Sequence, residues 1–322
     1  MNPLRRIARR VADAVTWRMA RQSSFQEALR RNVSENGAEL HALMLLRAVR
    51  HASRVMGRAL EGEVVEIGGY GHPGLALAFL LLGARHYVLN NVSPVENRLP
   101  LEYAQNLYVL LQLLFPLERP LGDVVEPIAG TADVRVREPL ITILREDAGR
   151  LGLPDQSVDV LLSITVLEHV PDTRPLVRNS WRLLKPGGWA YHSIDLRDHD
   201  HFDRPLEFLT WSDEEFARRQ PGNNRMRFTD HLKVFEESGF KVDLVQYVGP
   251  LDVLDPQHTD AFHLLSVPMD EVFPPRVEAV PVWVTEEMRA GFDPRFRSYS
   301  LNELSVTGVN VGMRKPAKGE SR

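Results

Sequence analysis

Apolar residues in this chain form short continuous runs that alternate with stretches in which apolar positions recur every three or four residues. The continuous runs predict buried strands, at residues 64–67, 86–90, 141–144, 158–164, 189–194, 241–247 and 306–314. The periodic stretches predict helices, at residues 35–60, 75–82, 95–115, 173–184 and 229–238. This alternation indicates an α/β fold, with a doubly wound seven-stranded sheet and helices on both faces.

The same pattern divides the chain into three parts. Residues 1–60 are predicted to be an N-terminal helical extension and residues 61–200 an α/β core. Residues 201–322 are predicted to hold substrate or lid inserts and the strands that complete the sheet. The inserts follow the fifth and sixth strands, at residues 195–227 and 249–305, and long inserts of this kind usually carry substrate specificity.

Two further segments qualify this picture. The segment 116–136, punctuated by Pro and Gly, is expected to be loop or short extended pieces. Near the N-terminus, apolar residues at helical spacing are accompanied by six arginines and one acid, Asp13. Such a helix either lies on an anionic membrane surface or packs on the main domain with its arginines in water.

Composition narrows the class of protein. The chain has 322 residues, of which 43% are hydrophobic and 25% charged, as in a soluble globular protein. A net charge of −4 gives no general attraction to nucleic acid, and the absence of cysteine excludes disulfides and thiolate metal sites. No apolar run approaches the roughly 18 residues that span a bilayer. A cytoplasmic location is therefore expected.

The most informative stretch is SVDVLLSITVLEHVPDTRPLVRNSWRLLKPGGW, residues 157–189. It reads as a strand, a Val-Leu-Glu-His-Val turn, a helix, a Lys-Pro-Gly-Gly break and a second strand, which is a βαβ unit. The string resembles the central segment of class I S-adenosylmethionine-dependent methyltransferases of the methyltransferase type 11 kind. The resemblance implies a Rossmann-like fold and S-adenosyl-L-methionine as cofactor.

The first strand ends in Glu66 and is followed by a glycine-rich loop that contains Gly68, Gly69 and Gly71. Glycine lets a backbone approach a ligand closely, although nucleotide-binding dehydrogenases share such loops. The resemblance implies that the loop wraps the methionine part of the cofactor and that Glu66 holds its amino group. The loop departs from the family pattern, since Tyr70 stands where a glycine is usual.

Three further strand ends complete the predicted cofactor site. The resemblance places Asn91, where a carboxylate is usual, against the ribose hydroxyls, with Asn90 as the alternative if the register differs by one residue. It assigns Asp147 and Ala148 to the adenine ring and puts the backbone of Ser163 beneath the cofactor. Asn90 and Asn91 could instead simply begin a turn.

Candidate catalytic residues are His169, Asp195 and His199. A histidine suits proton abstraction from a hydroxyl because its pKa lies near neutrality. His169 is either such a base or a structural residue of its loop. The Asp- and His-rich stretch 191–203 either supplies a base or a metal ligand, or is a solvated loop. No metal is expected, since Thr165 stands where some quinone-biosynthetic relatives have an acidic ligand.

The predicted function is that of a transferase: methylation of a small molecule, at a hydroxyl of a sugar or a bacterial secondary metabolite. No nucleic-acid partner is expected. Aromatic residues of the inserts predict a pocket for a polar molecule with an apolar part: Trp211, Phe216, Phe228, Phe262, Phe273 and Trp283. The alternatives are an inactive member that serves as a binding scaffold and a nicotinamide-dependent oxidoreductase.

Overall fold

The computed structural model describes residues 31–33, 37–69, 71–249 and 269–320. The predicted basic helix near the N-terminus, Tyr70 and Phe262 lie outside these residues. No helix in the described ranges is long and apolar enough to cross a membrane.

The described residues form α-helices, short 3₁₀ helices and two sheets. The α-helices in the described part of the chain are α1 (Ala38–Val55), α2 (Gly74–Leu81), α3 (Leu101–Leu114), α4 (Leu121–Val124), α5 (Arg174–Leu183), α6 (Asp213–Arg219), α7 (Phe228–Glu237), α8 (Met269–Val272), α9 (Glu286–Gly291) and α10 (Leu301–Ser305). Short 3₁₀ helices include Ala148–Arg150 and Leu167–His169. Each follows the carboxyl end of a strand, which is where ligands bind in open α/β sheets.

The strands are β1 (Gly62–Ile67), β2 (Ala84–Asn90), β3 (Leu99–Pro100), β4 (Val125–Pro127), β5 (Asp133–Val136), β6 (Ile141–Leu144), β7 (Val158–Ile164), β8 (Leu184–Asp195), β9 (Lys241–Val248) and β10 (Gly308–Arg314). The main sheet has seven strands in the order β6-β2-β1-β7-β8-β10-β9. β2 runs parallel to β1 and β6, whereas β10 runs antiparallel to β8 and β9. The predicted α/β class and seven-stranded sheet are confirmed.

The chain divides into two compact units. The first contains the described residues up to Glu146, with Val158–Val160 and Met269; the second contains Asp147–Ser157 and the described residues of 161–255 and 270–322. In the first unit, all eight residues of α2 are buried. Because no side of this helix faces water, its sequence has no polar face. In the second unit, α7 has polar residues on its solvent side, and its buried residues include Val234 and Phe235.

Two of the differences between predicted and observed boundaries have a clear physical reason. The helix expected from residue 95 begins at Leu101, because Pro100 favours an extended conformation before it and Leu99 and Pro100 pair with β5. The expected break at residues 185–188 is wrong, since these residues belong to β8. Gly187 adopts a φ of 81°, and its N–H still donates to the Lys315 carbonyl at 2.9 Å. Glycine therefore absorbs the bend without ending the strand.

The described parts of the inserts consist of short helices and turns that share a hydrophobic core. The buried members of this cluster are Leu206, Phe208, Leu209, Trp211, Phe216, Val284, Phe292, Phe296 and Leu304. Trp211 and Phe216 thus belong to a packed core, not to the open pocket that the sequence predicted. Phe273 does line a pocket in the second unit.

Candidate functional site

Four polar residues of the second unit meet at one pocket, and they are called here the Glu168 cluster: Glu168, His169, Asp195 and His199. Glu168 and His169 lie on the 3₁₀ helix after β7, and Asp195 is the last residue of β8. The Asp195 N–H donates to Glu168 Oε1 at 3.3 Å, and His199 Nε2 lies 3.5 Å from Asp195 Oδ2. The three predicted catalytic residues therefore lie together.

The carboxylate of Asp195 is anchored by a two-point contact with Arg197. Arg197 donates from Nε to Oδ1 at 2.8 Å and from Nη2 to Oδ2 at 2.5 Å. Burial alone would raise the pKa of Asp195, but Arg197 and His199 together hold it well below its usual range. The Asp195 carboxylate in turn raises the pKa of His199 above its ordinary value. Asp195 is thus ionised at pH 7 and favours the protonated form of His199.

Glu168 has the opposite electrostatic character. It is buried, and burial raises its pKa to about 8, so the carboxyl group keeps its proton at pH 7. Its Oε2 has no hydrogen-bond partner among the residues that the structure describes. A buried oxygen without a partner is unusual in a native fold and marks a position where a ligand group can bind.

His169 is exposed at the rim of the pocket. Its Nδ1 lies 2.8 Å from Asn223 Oδ1, and its ring meets the His199 ring edge to face with centroids 4.7 Å apart. Asn224 fixes the turn that carries His169, since its amide donates to the carbonyls of Leu167 and Val170. The neighbouring insert thereby sets the position of the predicted histidine.

The same cluster offers ligand atoms of the kind that bind divalent cations. Glu168, His169 and His199 each present one such atom, and the three atoms lie within 4.8 Å of one another. Nitrogen and carboxylate ligands suit zinc and other transition metals. The expectation of no metal, which rested on Thr165, stays a prediction.

The rest of the Asp- and His-rich stretch divides by environment. His192 is fully buried, stacks on Phe235 and has its Nδ1 2.6 Å from the Ser163 hydroxyl; burial and nearby His231 lower its pKa to about 3. Asp198 is also buried and accepts from the Gln220 amide at 2.8 Å. Both side chains are held in the protein interior by these contacts. Within this stretch, the candidate catalytic residues are therefore Asp195 and His199.

In the first unit, Glu66 borders a cavity of about 380 Å³, a volume in the range of small-molecule sites. Glu66 is 3% exposed, and burial raises its pKa to about 7 despite a 2.8 Å hydrogen bond from the Tyr87 hydroxyl. His41 and His72 share the cavity wall, and burial lowers the pKa of each. The cavity therefore presents neutral histidines opposite one ionisable carboxyl group.

The glycine loop is closely packed against its neighbours. Gly68 adopts a φ of 77°, and its N–H donates to the Asn90 carbonyl at 2.7 Å. A Cβ atom on Gly69 would lie 2.2 Å from Leu89 Cδ1, so the buried Leu89 side chain would have to shift to admit a larger residue. Gly71 has a φ of 79° and open space around it.

The two asparagines after β2 are both engaged. Asn91 donates to the Gly69 carbonyl at 2.5 Å and accepts from the Ser93 N–H at 3.0 Å. Asn90 is buried and exchanges two hydrogen bonds with the backbone of Glu146. Asn90 is thus fixed inside the sheet, which favours the half-buried Asn91 as the cofactor partner. A ribose contact of Asn91 stays a prediction.

The remaining predicted cofactor residues lie in the second unit. Asp147 caps its 3₁₀ helix by accepting from the Gly149 N–H at 2.8 Å. The Ala148 carbonyl accepts from the Asn179 amide at 2.8 Å. The Ser163 hydroxyl faces His192, so only its backbone is available for a cofactor contact. None of these cofactor contacts is tested by the structure.

Sequence reasoning missed several residues of the two pockets. His41 lies on α1, whose helical period was visible although nothing linked it to Glu66. Arg197 stands two residues after Asp195, and this spacing on an exit loop was the available signal for an ion pair. Asn223 and Asn224 reach the site from the far end of the insert, which no local pattern predicts.

Comparisons with known proteins agree with the sequence motifs. Residues 123–192 match the family model of a methyltransferase domain. A protein of Mycolicibacterium smegmatis named a probable S-adenosylmethionine-dependent methyltransferase is 42% identical over 116 residues, 36% of this chain and 41% of that protein. A ubiquinone biosynthesis O-methyltransferase of Paracidovorax citrulli is 38% identical over 74 residues, 23% of this chain and 29% of that protein.

Solved structures align over a larger share of the chain at low identity. A Haemonchus contortus phosphoethanolamine N-methyltransferase 2 in complex with S-adenosyl-L-methionine aligns with a TM-score of 0.44 and 14% identity, over 84% of this chain and 52% of that one. The chain spans less than half the length of the two curated relatives. The matches confirm the predicted resemblance to methyltransferases.

Proposed function

We propose that this chain, which carries a methyltransferase domain of the class I S-adenosylmethionine-dependent kind, methylates a small molecule at a hydroxyl of a sugar or secondary metabolite. The observation that carries the proposal is the Asp195–His199 pair in the pocket beside β7 and β8. The pair supplies a histidine next to a fixed carboxylate. That arrangement orients an imidazole and stabilises its protonated form.

The proposed reaction is an in-line displacement. Bound S-adenosyl-L-methionine would supply a methyl group on a positively charged sulfonium; a new carbon–oxygen bond to the acceptor hydroxyl would replace the carbon–sulfur bond, with the neutral thioether as leaving group. The hydroxyl proton passes to His199, whose Nε2 faces Asp195 and whose Nδ1 is then the acceptor. The sulfonium makes the methyl group intrinsically reactive, so alignment and exclusion of water supply much of the acceleration.

The cofactor is proposed to contact Glu66, Gly68, Gly69, Gly71 and Asn91 through its methionine and ribose parts. Asp147, Ala148 and the backbone of Ser163 are proposed to contact its adenine side. The buried carboxyl of Glu66 supports its assignment, because a cationic amino group would favour the ionised form.

Calorimetric titration tests this assignment directly. We expect S-adenosyl-L-methionine and its demethylated product to bind, and NAD not to bind. Glu66→Ala and Asp147→Ala should each weaken binding about 5- to 150-fold, which corresponds to losing one polar contact of about 1–3 kcal/mol. The exposed Glu138→Ala variant is the control. Unchanged affinity in both variants, with the fold intact, contradicts the proposed cofactor site.

A second candidate function is cofactor binding without turnover. It is favoured by one observation: both ends of the Asn91 side chain already have protein partners. Incubation of the protein with labelled cofactor and a pool of metabolites, followed by mass spectrometry, separates the candidates. Tight binding without a labelled product supports the scaffold, whereas a labelled product excludes it.

A further inference from the structure

Three polar side chains lie side by side across the second unit's antiparallel strands. Asn310 of β10 is directly opposite Ser193 of β8 and Gln246 of β9. Directly opposite residues project from the same face of a sheet. Asn310 is 2% exposed and Gln246 is fully buried, so this face holds polar groups where apolar ones would be usual.

Two atoms of this row have no hydrogen-bond partner among the described residues. They are Asn310 Nδ2, a donor, and Gln246 Oε1, an acceptor. The other end of the Gln246 amide is occupied, since Nε2 donates to the Phe273 carbonyl at 3.3 Å. Buried amides are almost always paired, so an unpaired donor such as Asn310 Nδ2 indicates a ligand that offers an acceptor where the residue lines a pocket.

Two members of the row, Asn310 and Ser193, line a pocket of about 140 Å³, whereas Gln246 does not. Its apolar wall consists of Ile194, Val248 and Phe273. Its two charged side chains are Asp195 and Arg197, which pair with each other at 2.5 Å and leave the pocket without net charge. A ligand of this pocket is therefore uncharged and has an apolar surface beside its polar group.

The size of the pocket fits one ring. Cavities of about 150 Å³ lined by apolar side chains accommodate a single benzene ring. Asp195 lines this pocket and also belongs to the Glu168 cluster, so a ring bound here lies beside the carboxylate that pairs with the proposed base. Thr165, at the end of β7, closes the same pocket with a φ of 49°, a conformation that β-branched residues rarely adopt outside functional sites.

We propose that this pocket binds the methyl acceptor and that the acceptor is an uncharged, hydroxylated aromatic ring. Its hydroxyl oxygen accepts a hydrogen bond from Asn310 Nδ2, which leaves the hydroxyl hydrogen available to the proposed base. The ring lies against Phe273. This inference rests on the proposed methyltransferase function and narrows its acceptor to one chemical class.

Ligand-observed NMR on the full chain, with and without saturating demethylated cofactor, tests the acceptor class. The probes are phenol and catechol as neutral hydroxylated rings, benzoate as an anionic ring, and methyl glucoside as a neutral sugar. We expect phenol and catechol to bind at least tenfold more tightly than benzoate and methyl glucoside. Tighter binding of methyl glucoside, or no binding of any ring probe, overturns the proposal.

Variants then test the assigned residues. Asn310→Asp keeps the shape but replaces the donor with an acceptor, so catechol affinity should fall at least tenfold while affinity for the demethylated cofactor stays within twofold. Asn302→Asp adds the same charge outside the pocket lining and should change neither. Should Asn310→Asp not fold, Phe273→Leu at a half-buried position serves instead, and it should weaken ring probes at least fivefold.

The outcomes separate this inference from the proposed function. Cofactor binding without ring binding refutes only the acceptor pocket, whereas ring binding without cofactor binding refutes only the methyltransferase function. Catechol affinity that Asn310→Asp or Phe273→Leu leaves unchanged overturns the assignment. A crystal structure in which the Asn310 and Gln246 amides bond to each other, with catechol elsewhere, also overturns it.

Discussion

Replacing Glu66 with Gln should stabilise the folded protein at alkaline pH while it weakens cofactor binding. Glu66 is 3% exposed, and the Tyr87 hydroxyl hydrogen bond at 2.8 Å only partly offsets the cost of burying its charge. Burial raises the pKa of Glu66 from its ordinary value of 4.5 to about 7. A fold selected for stability alone has no need of an ionisable group at such a position.

The magnitude and sign follow from linkage. Between pH 4.5 and pH 7, the unfolded chain ionises Glu66 while the folded chain keeps the proton, so stability falls as the pH rises through this window. Above pH 7 the full cost remains, about 3 kcal/mol at 1.4 kcal/mol for each tenfold difference in proton affinity. At pH 5 the cost is below about 1 kcal/mol, because this pH lies only half a unit above the unfolded pKa of 4.5 while the folded carboxyl group stays protonated.

Urea denaturation of the wild type and Glu66→Gln at pH 5 and pH 8 measures this difference. We expect the variant to gain about 3 kcal/mol at pH 8 and little at pH 5, with cofactor affinity reduced by calorimetry. Glu138→Gln, at an exposed position, controls for the loss of one carboxylate and should leave the free energy of unfolding unchanged at both pH values. A Glu66→Gln variant that is no more stable than wild type at pH 8 refutes the reasoning.

Further predictions concern the loop and the proposed base. Gly69→Ala should lower stability by about 1–3 kcal/mol and weaken cofactor binding, because its Cβ would lie 2.2 Å from buried Leu89; urea denaturation and calorimetry measure the two effects. Since Asp195 raises the pKa of His199, activity should increase as the pH rises through that pKa. Asp195→Asn should move this increase in activity to lower pH. The control variant Asp203→Asn, on the exposed part of the loop, should leave the pH–rate profile unchanged. If Asp195→Asn also leaves the profile unchanged, His199 is not the base.

Much of the core was predictable because its signals are local. The continuous apolar run of β7 needed only periodicity to be placed, and its predicted bounds match the structure. The start of α3 was misplaced because the sequence from residue 95 is rich in helix formers, whereas Pro100 and the pairing of Leu99 with Val134 decide the boundary. A cross-strand contact 35 residues away is not visible in a local window.

The candidate site was predicted in part for the same reason. Asp195 and His199 follow a recognisable strand, so their proximity could be inferred from chain order. Asn310 could not be found in this way, because it is an ordinary amide until the register of β10 places it opposite Ser193 and Gln246. The inserts show most clearly what local sequence patterns do not predict. Trp211 was predicted to line a substrate pocket because the insert has no clear periodicity, and in the fold it is a core residue.

Glu168, like Glu66, is a buried carboxyl group with a raised pKa, and it allows a second test of how such a group affects stability. Its pKa rises from 4.5 to about 8 on burial, so ionising it in the fold costs about 4–5 kcal/mol above pH 8. Only a compensating cation makes an ionised Glu168 favourable, and His169 and His199 present ligand atoms within 4.8 Å. If a divalent cation binds, calorimetry with Mg²⁺, Mn²⁺ or Zn²⁺ at pH 7 should detect proton release. A chelator should then reduce the activity of the wild type. Glu168→Gln should abolish both the heat of cation binding and the chelator-sensitive activity. If chelation is without effect and Glu168→Gln retains activity, Glu168 acts only by accepting the Asp195 N–H, and the variant should instead be more stable at pH 9.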